Sequence, residues 1–218
     1  MTVLLLHALP LDERMWERQR DAFPDAVTPR LYGRGPSMED WASGILDEVD
    51  GDFVAVGASM GGYCALELVR QAPKRVRGLA LVGSRVDADS PERREGRART
   101  LELIRSGGAE ALWEDMRPKL FPPGDTEAVA FARGLALEQR PDELAAAVEA
   151  IRDRRDSTEV VAGFERPVLF SAGRDDPFVA PNEAPPSVEA HSFETGHLPS
   201  LERPDEFDAV LAEFLARV

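Results

Sequence analysis

Four short apolar runs, at residues 3–6, 53–56, 79–82 and 168–170, have polar or turn-forming flanks and the length of strands buried on both faces. A weaker fifth run covers residues 188–193. Between most of them the apolar positions return at helical spacing, and the helices have readable ends. Ser37 caps one running to about Val49, and Ser59 opens one that ends before Pro73. Ser90 with Pro91 starts a third that stops at Gly107 and Gly108, while Pro141 begins a helix to Arg154 and Pro204 the C-terminal one. This alternation predicts an α/β fold with a mainly parallel sheet flanked by helices. Residues 85–158 hold about four helical runs and no strand run, so they read as a helical cap inserted into a core made of residues 1–84 and 159–218. In open α/β sheets the ligand crevice lies at the carboxyl ends of the strands, where such an insertion begins and ends.

The composition narrows the functional classes. A chain of 218 residues with 43% hydrophobic and 30% charged residues suits one globular domain. Its formal net charge of -14 repels nucleic-acid backbones and anionic membrane surfaces, so neither is expected as a partner. The densest basic stretch, Arg93, Arg94, Arg97, Arg99 and Arg105, is interleaved with Glu92, Glu95 and Glu102 and reads as a solvated helix face. The single cysteine, Cys64, rules out an internal disulfide framework and fits a reducing cytoplasm. The opening "MTVLLLHALP" is too short for a membrane span and lacks the pattern of an export signal, so it reads as the first buried strand.

Candidate chemistry centres on "VGASMGG". Gly57-Ala58-Ser59-Met60-Gly61 matches G-x-S-x-G between a strand run and a helix run, the context of a nucleophile elbow. A tight strand-to-helix turn brings two backbones together, and side chains at 57 and 61 would collide. A serine hydroxyl needs a base that is itself oriented by a third group. His197 in "ETGHLPSLERPDEF" follows the last strand run, and Asp175 and Asp176 follow the run ending at Phe170; the chain order of Ser59, acid and base suits this architecture. For a developing oxyanion, the N–H groups of Met60 and of Leu9 in "HALP" are the expected donors. His7 is expected to shape that loop by hydrogen bonding. Trp113 in the insertion, with Phe178 and Leu198 beside the acid and the base, are the pocket candidates, and an apolar cap points to an uncharged acyl group.

Taken together, "VLLLHALPLDERMW", "LYGRGPS", "VGASMGGYCALELVRQAPKRVRGLALVGS", "GRDDPFVAP" and "TGHLPSLERPDEF" resemble the α/β-hydrolase superfamily over essentially the whole chain, in its small capped esterase and lactonase-like members. The resemblance implies the compact α/β-hydrolase fold and, through a G-x-x-D pattern, selects Asp176 over Asp175 as the acid. It implies a serine hydrolase acting on a small carboxylic ester, thioester or lactone, with no metal or organic cofactor. Ala8 stands where the family usually has glycine in the oxyanion loop, and Arg34 where it often has histidine. A C–C bond hydrolase or lyase on the same triad, or a ligand-binding protein without turnover, are the competing readings. The oligomeric state stays open.

Overall fold

Each apolar run forms one strand of a five-stranded parallel sheet: β1 (Thr2–Leu6), β2 (Phe53–Ala58), β3 (Val76–Val82), β4 (Val168–Gly173) and β5 (Glu189–Phe193). The computed structural model describes residues 1–124, 126–186 and 188–218. Strand order in the sheet equals order in the chain. One row of neighbours, Leu6, Gly57, Leu81, Phe170 and Ala190, crosses all five strands, near the carboxyl ends of β1, β2 and β3 and further back in β4 and β5. Ser187, which ends the proline-rich stretch before the fifth strand, lies outside the described residues. The fifth run alternates weakly because β5 is an edge strand with Glu189 and Ala190 exposed.

Successive side chains point to opposite faces of a strand, so each strand feeds two cores. Leu4, Leu6, Phe53, Ala55, Leu79, Leu81 and Phe170 lie in one, and Leu5, Val54, Val56, Ala80, Val82, Leu169 and Phe193 in the other. Burying a side chain of Val, Leu or Phe size stabilises by about 1.5–3 kcal/mol. Over the first core lie α2 (Met38–Glu48), α3 (Met60–Gln71) and α7 (Thr158–Ala162), which supply Trp41, Ile45, Cys64, Leu68 and Val161. The second core takes Phe207, Leu211 and Phe214 from α9 (Pro204–Leu215), which packs beside α1 (Glu17–Ala22). Ser37 caps α2 by accepting from the Asp40 amide at 3.2 Å, and the buried stripe Met38, Trp41, Ala42 and Ile45 has the spacing of one helical face.

Between β3 and β4 run α4 (Pro91–Leu120), α5 (Thr126–Leu137) and α6 (Pro141–Asp153). The expected stop at Gly107 and Gly108 is a kink instead: Gly108 takes φ 64° and ψ -150°, and the chain resumes its helix at once. The positive φ explains the glycine, because one residue leaves the helical conformation while both flanks keep it. Buried Leu101, Ile104 and Leu112 of α4 join Leu144, Val148 and Ile151 of α6 in the first core. Among the described residues no helix is long and apolar enough to cross a membrane.

Candidate active site

The turn from β2 into α3 is built around Ser59, whose φ of 49° and ψ of -110° make it the one non-glycine residue with positive φ among those described. Such a conformation costs on the order of 1–3 kcal/mol and needs surrounding structure to hold it. That structure is visible. The Ser59 amide donates to the Val82 carbonyl at 2.8 Å, and the Ser84 hydroxyl to the Ser59 carbonyl at 3.0 Å. A Cβ on Gly61 would lie 2.1 Å from the Leu6 carbonyl oxygen, and one on Gly57 2.4 Å from the Gly61 backbone. Helix and strand therefore approach closely enough to exclude side chains. The Ser59 hydroxyl makes no capping bond to α3, is half-buried, and opens on a cavity. Met60 is the first residue of α3, so its N–H stands at the positive end of the helix dipole.

His197 and Asp176 meet above the sheet. Asp176 Oδ2 lies 2.7 Å from His197 Nδ1, while Oδ1 accepts the amides of Phe178 at 2.8 Å and Val179 at 3.2 Å. With the carboxylate at Nδ1, a neutral His197 carries its proton there and presents a lone pair on Nε2. Asp175, by contrast, is exposed. The histidine loop is braced from both sides: Glu202, in α8 (Pro199–Glu202), accepts from the Gly196 amide at 2.9 Å and the Leu198 amide at 3.1 Å. The His197 amide itself donates to the Leu120 carbonyl at the end of α4, at 2.9 Å. The loop must cross β4 and β3 to come near Ser59, and a Cβ on Gly83 would sit 3.0 Å from the imidazole.

Ser59, His197, Leu9 and Phe178 line one cavity of about 60 Å³. Phe178 stands edge-on to His197 with centroids 4.8 Å apart. Trp113 and Leu198 do not line it. Both are buried in the second core: Trp113 lies against Phe121 at 6.3 Å, in the half of α4 that follows the kink at Gly108, and Leu198 lies just before α8. Met116, from the same half, faces the cavity instead. A larger surface groove of about 640 Å³ beside α1 and α9 shares no residue with this cavity.

Three further lining residues are Arg85, Arg93 and Arg97. The expected solvated face of α4 is thus partly a cavity wall, and the lining is not uncharged. Asp89, with a fully buried side chain, pairs with Arg97 at 3.0 Å and with the buried Arg154 at 2.7 Å. The spacing of Arg93 and Arg97, four residues apart and four and eight beyond Asp89, is the sequence signal that would have placed them together. Of the other histidines, His7 is wholly buried, accepts from the Leu31 amide at Nε2 (3.0 Å), and burial pushes its imidazole from 6.5 down to about 4. It holds the β1 loop next to Leu9. Burial pushes the Cys64 thiol up to about 12, so no thiolate forms there at neutral pH.

Residues 3–210 match the model of the alpha/beta hydrolase family. The chain belongs to this family. The hydrolase superposes on a thermophilic esterase from Thermogutta terrifontis, solved with malate bound, with a TM-score of 0.91 at 31% identity, covering 99% of this chain and 89% of that one. An enol-lactonase from Burkholderia xenovorans LB400 shares the fold, with a TM-score of 0.84 at 23% identity over 99% and 91% of the two chains. A pimeloyl-[acyl-carrier protein] methyl ester esterase from Aromatoleum aromaticum is 35% identical over 91 residues, 38% of this chain and 36% of that protein. That match spans little more than a third of the relative's length.

Proposed function

We propose that the protein hydrolyses small carboxylic esters, thioesters or lactones through a Ser59–His197–Asp176 triad and an acyl-enzyme. The observation that carries this reading is a strained serine, its hydroxyl not spent on capping α3, sharing a small cavity with a histidine fixed by a buried carboxylate. His197 Nε2 takes the Ser59 proton as Oγ attacks the carbonyl carbon. The N–H groups of Met60 and Leu9 receive the negative charge that builds on the carbonyl oxygen. Collapse of this adduct breaks the bond to the leaving group, which takes the proton back from imidazolium. Water, activated by the same histidine, then releases the acid and restores Ser59. Asp176 keeps the proton on Nδ1 throughout and stabilises imidazolium. Residues 85–158 serve as the cap, placing Met116 and Ile151 over the reacting carbonyl. A cavity of about 60 Å³ favours short acyl groups.

The test is a time course with p-nitrophenyl acetate and butyrate on the wild type and on folded Ser59→Ala, together with fluorophosphonate labelling. Turnover in the wild type should fall at least about a thousandfold in the variant, a conservative loss for a removed nucleophile. Equal rates in both, with no label on Ser59, would refute the reading.

A further inference from the structure

The face that α4 turns to the cavity is cationic. Arg93 and Arg97, one helical turn apart, and Arg85, from the loop after β3, line the same cavity as Ser59 and His197. Guanidinium groups in such a place need anionic partners, and the internal supply falls short. Asp87 accepts from Arg85 at 2.8 Å and from Arg93 at 2.6 Å. Asp89 accepts from Arg97 and Arg154, and lies 3.5 Å from Arg93 Nε. Glu183, which pairs with Arg85 at the rim, is 40% exposed. Four arginines thus share one buried carboxylate, Asp89, and two partly solvated ones, Asp87 and Glu183. Among the described residues, Arg93 Nε is buried without a hydrogen-bond partner, and Arg97 bonds through Nε alone, so both its terminal nitrogens are uncommitted.

The position of these groups matters as much as their number. Arg93, Arg97 and Phe178 also line an outer groove of about 600 Å³ along α4, so they stand at the throat where groove and inner cavity join. The chain as a whole carries a net charge of -14 and repels anions, and a local reversal of sign at the throat of a reactive cavity selects for them. A guanidinium edge presents two parallel N–H donors that match a carboxylate.

We infer that the substrate carries a carboxylate besides the ester group, held at the throat by Arg97 and Arg93 while the ester carbonyl lies at Ser59. The class is a monoester of a short dicarboxylic acid. This rests on the ester-hydrolase reading for its chemistry but not for its binding site. A charge-assisted bond of this kind is worth about 10- to 100-fold in kcat/KM.

The experiment compares initial rates on monomethyl and dimethyl glutarate, which share a skeleton and differ in one masked carboxylate, and measures glutarate binding by calorimetry. Wild type should prefer the monoester at least tenfold. In Arg97→Gln that ratio should fall at least tenfold and glutarate should bind at least tenfold more weakly, while Arg97→Lys, which keeps the charge, should lie between the two. Hydrolysis of both esters at similar rates in wild type, with glutarate binding absent or equal in Arg97→Gln, overturns the inference and leaves the hydrolase reading standing. Cleavage of neither ester, with glutarate bound by wild type and lost in Arg97→Gln, upholds the anion throat and removes the hydrolase reading. Inorganic phosphate binding more tightly than glutarate would assign the throat to phosphate-bearing ligands and overturn the carboxylate class.

Discussion

His7 gives a pH dependence that can be worked out from its surroundings. The imidazole is fully buried, accepts the Leu31 amide at Nε2 and stands edge-on to Tyr32 at 4.9 Å, with Asp12 and Arg30 as its charged neighbours. Burial disfavours the charged form more than Asp12 favours it, so the folded group titrates near 4 where the unfolded one titrates at 6.5. Between these values the unfolded chain binds a proton that the folded chain refuses. The stability from this group is complete above pH 6.5 and is lost as pH falls through the window down to about 4. Between about pH 7.5 and about pH 5 the loss amounts to about 2 kcal/mol, because at the lower pH nearly every unfolded imidazole is protonated and only about a tenth of the folded ones are. Urea unfolding at both pH values, on wild type and on His7→Gln, isolates the effect, since the carboxylates titrate in both proteins alike. The variant should be less stable at neutral pH through lost packing, but its drop on acidification should be shallower by about 2 kcal/mol. Equal drops in the two proteins would refute the argument that buried neutral His7 holds the β1 loop.

Two further outcomes follow from close contacts. Gly61→Ala places a methyl 2.1 Å from the Leu6 carbonyl oxygen and must push α3 off β1; a loss of at least about 3 kcal/mol in denaturant unfolding is expected, and stability near wild type would remove the clearance argument. Glu202→Gln leaves one of the two amides flanking His197 without an acceptor, so kcat on p-nitrophenyl acetate should fall about tenfold with KM nearly unchanged. A change confined to KM would place Glu202 in substrate binding instead.

Much of the core and part of the site could be read from the chain because they rest on local signals. Four of the five strand runs announce themselves by apolar length, and the elbow by Gly57 and Gly61, where only a close backbone approach requires glycine. Asp176 and His197 follow strands, so their chain order already limits where they can lie. What escaped depends on angles between elements. Arg93 and Arg97 sit among glutamates in the linear pattern, and only the docking of α4 on α6 decides that their face closes a cavity. Trp113 was the first candidate for that cavity, but one non-helical residue at Gly108 turns the following segment and exchanges Trp113 for Met116. No helical pattern read from residue spacing carries the rotation that a single positive φ introduces. Glu202 was hidden for a different reason: its role is to brace backbone amides, and a carboxylate that does so is indistinguishable in sequence from a solvated one.

Because strand order in the sheet repeats strand order in the chain, the loops bearing Leu9, Ser59, Arg85, Asp176 and His197 rise from β1 to β5 in a single file. Each can lengthen above the sheet without disturbing the register beneath it. The third, between β3 and β4, is the longest of the connections between strands, and it brings Arg93, Arg97, Met116 and Ile151 to the cavity in one piece. The loops that hold Ser59, Asp176 and His197 and the segment that walls the cavity beside them are therefore separate stretches of chain. A change confined to the insertion would recast that wall while Ser59, Asp176 and His197 stay where they are.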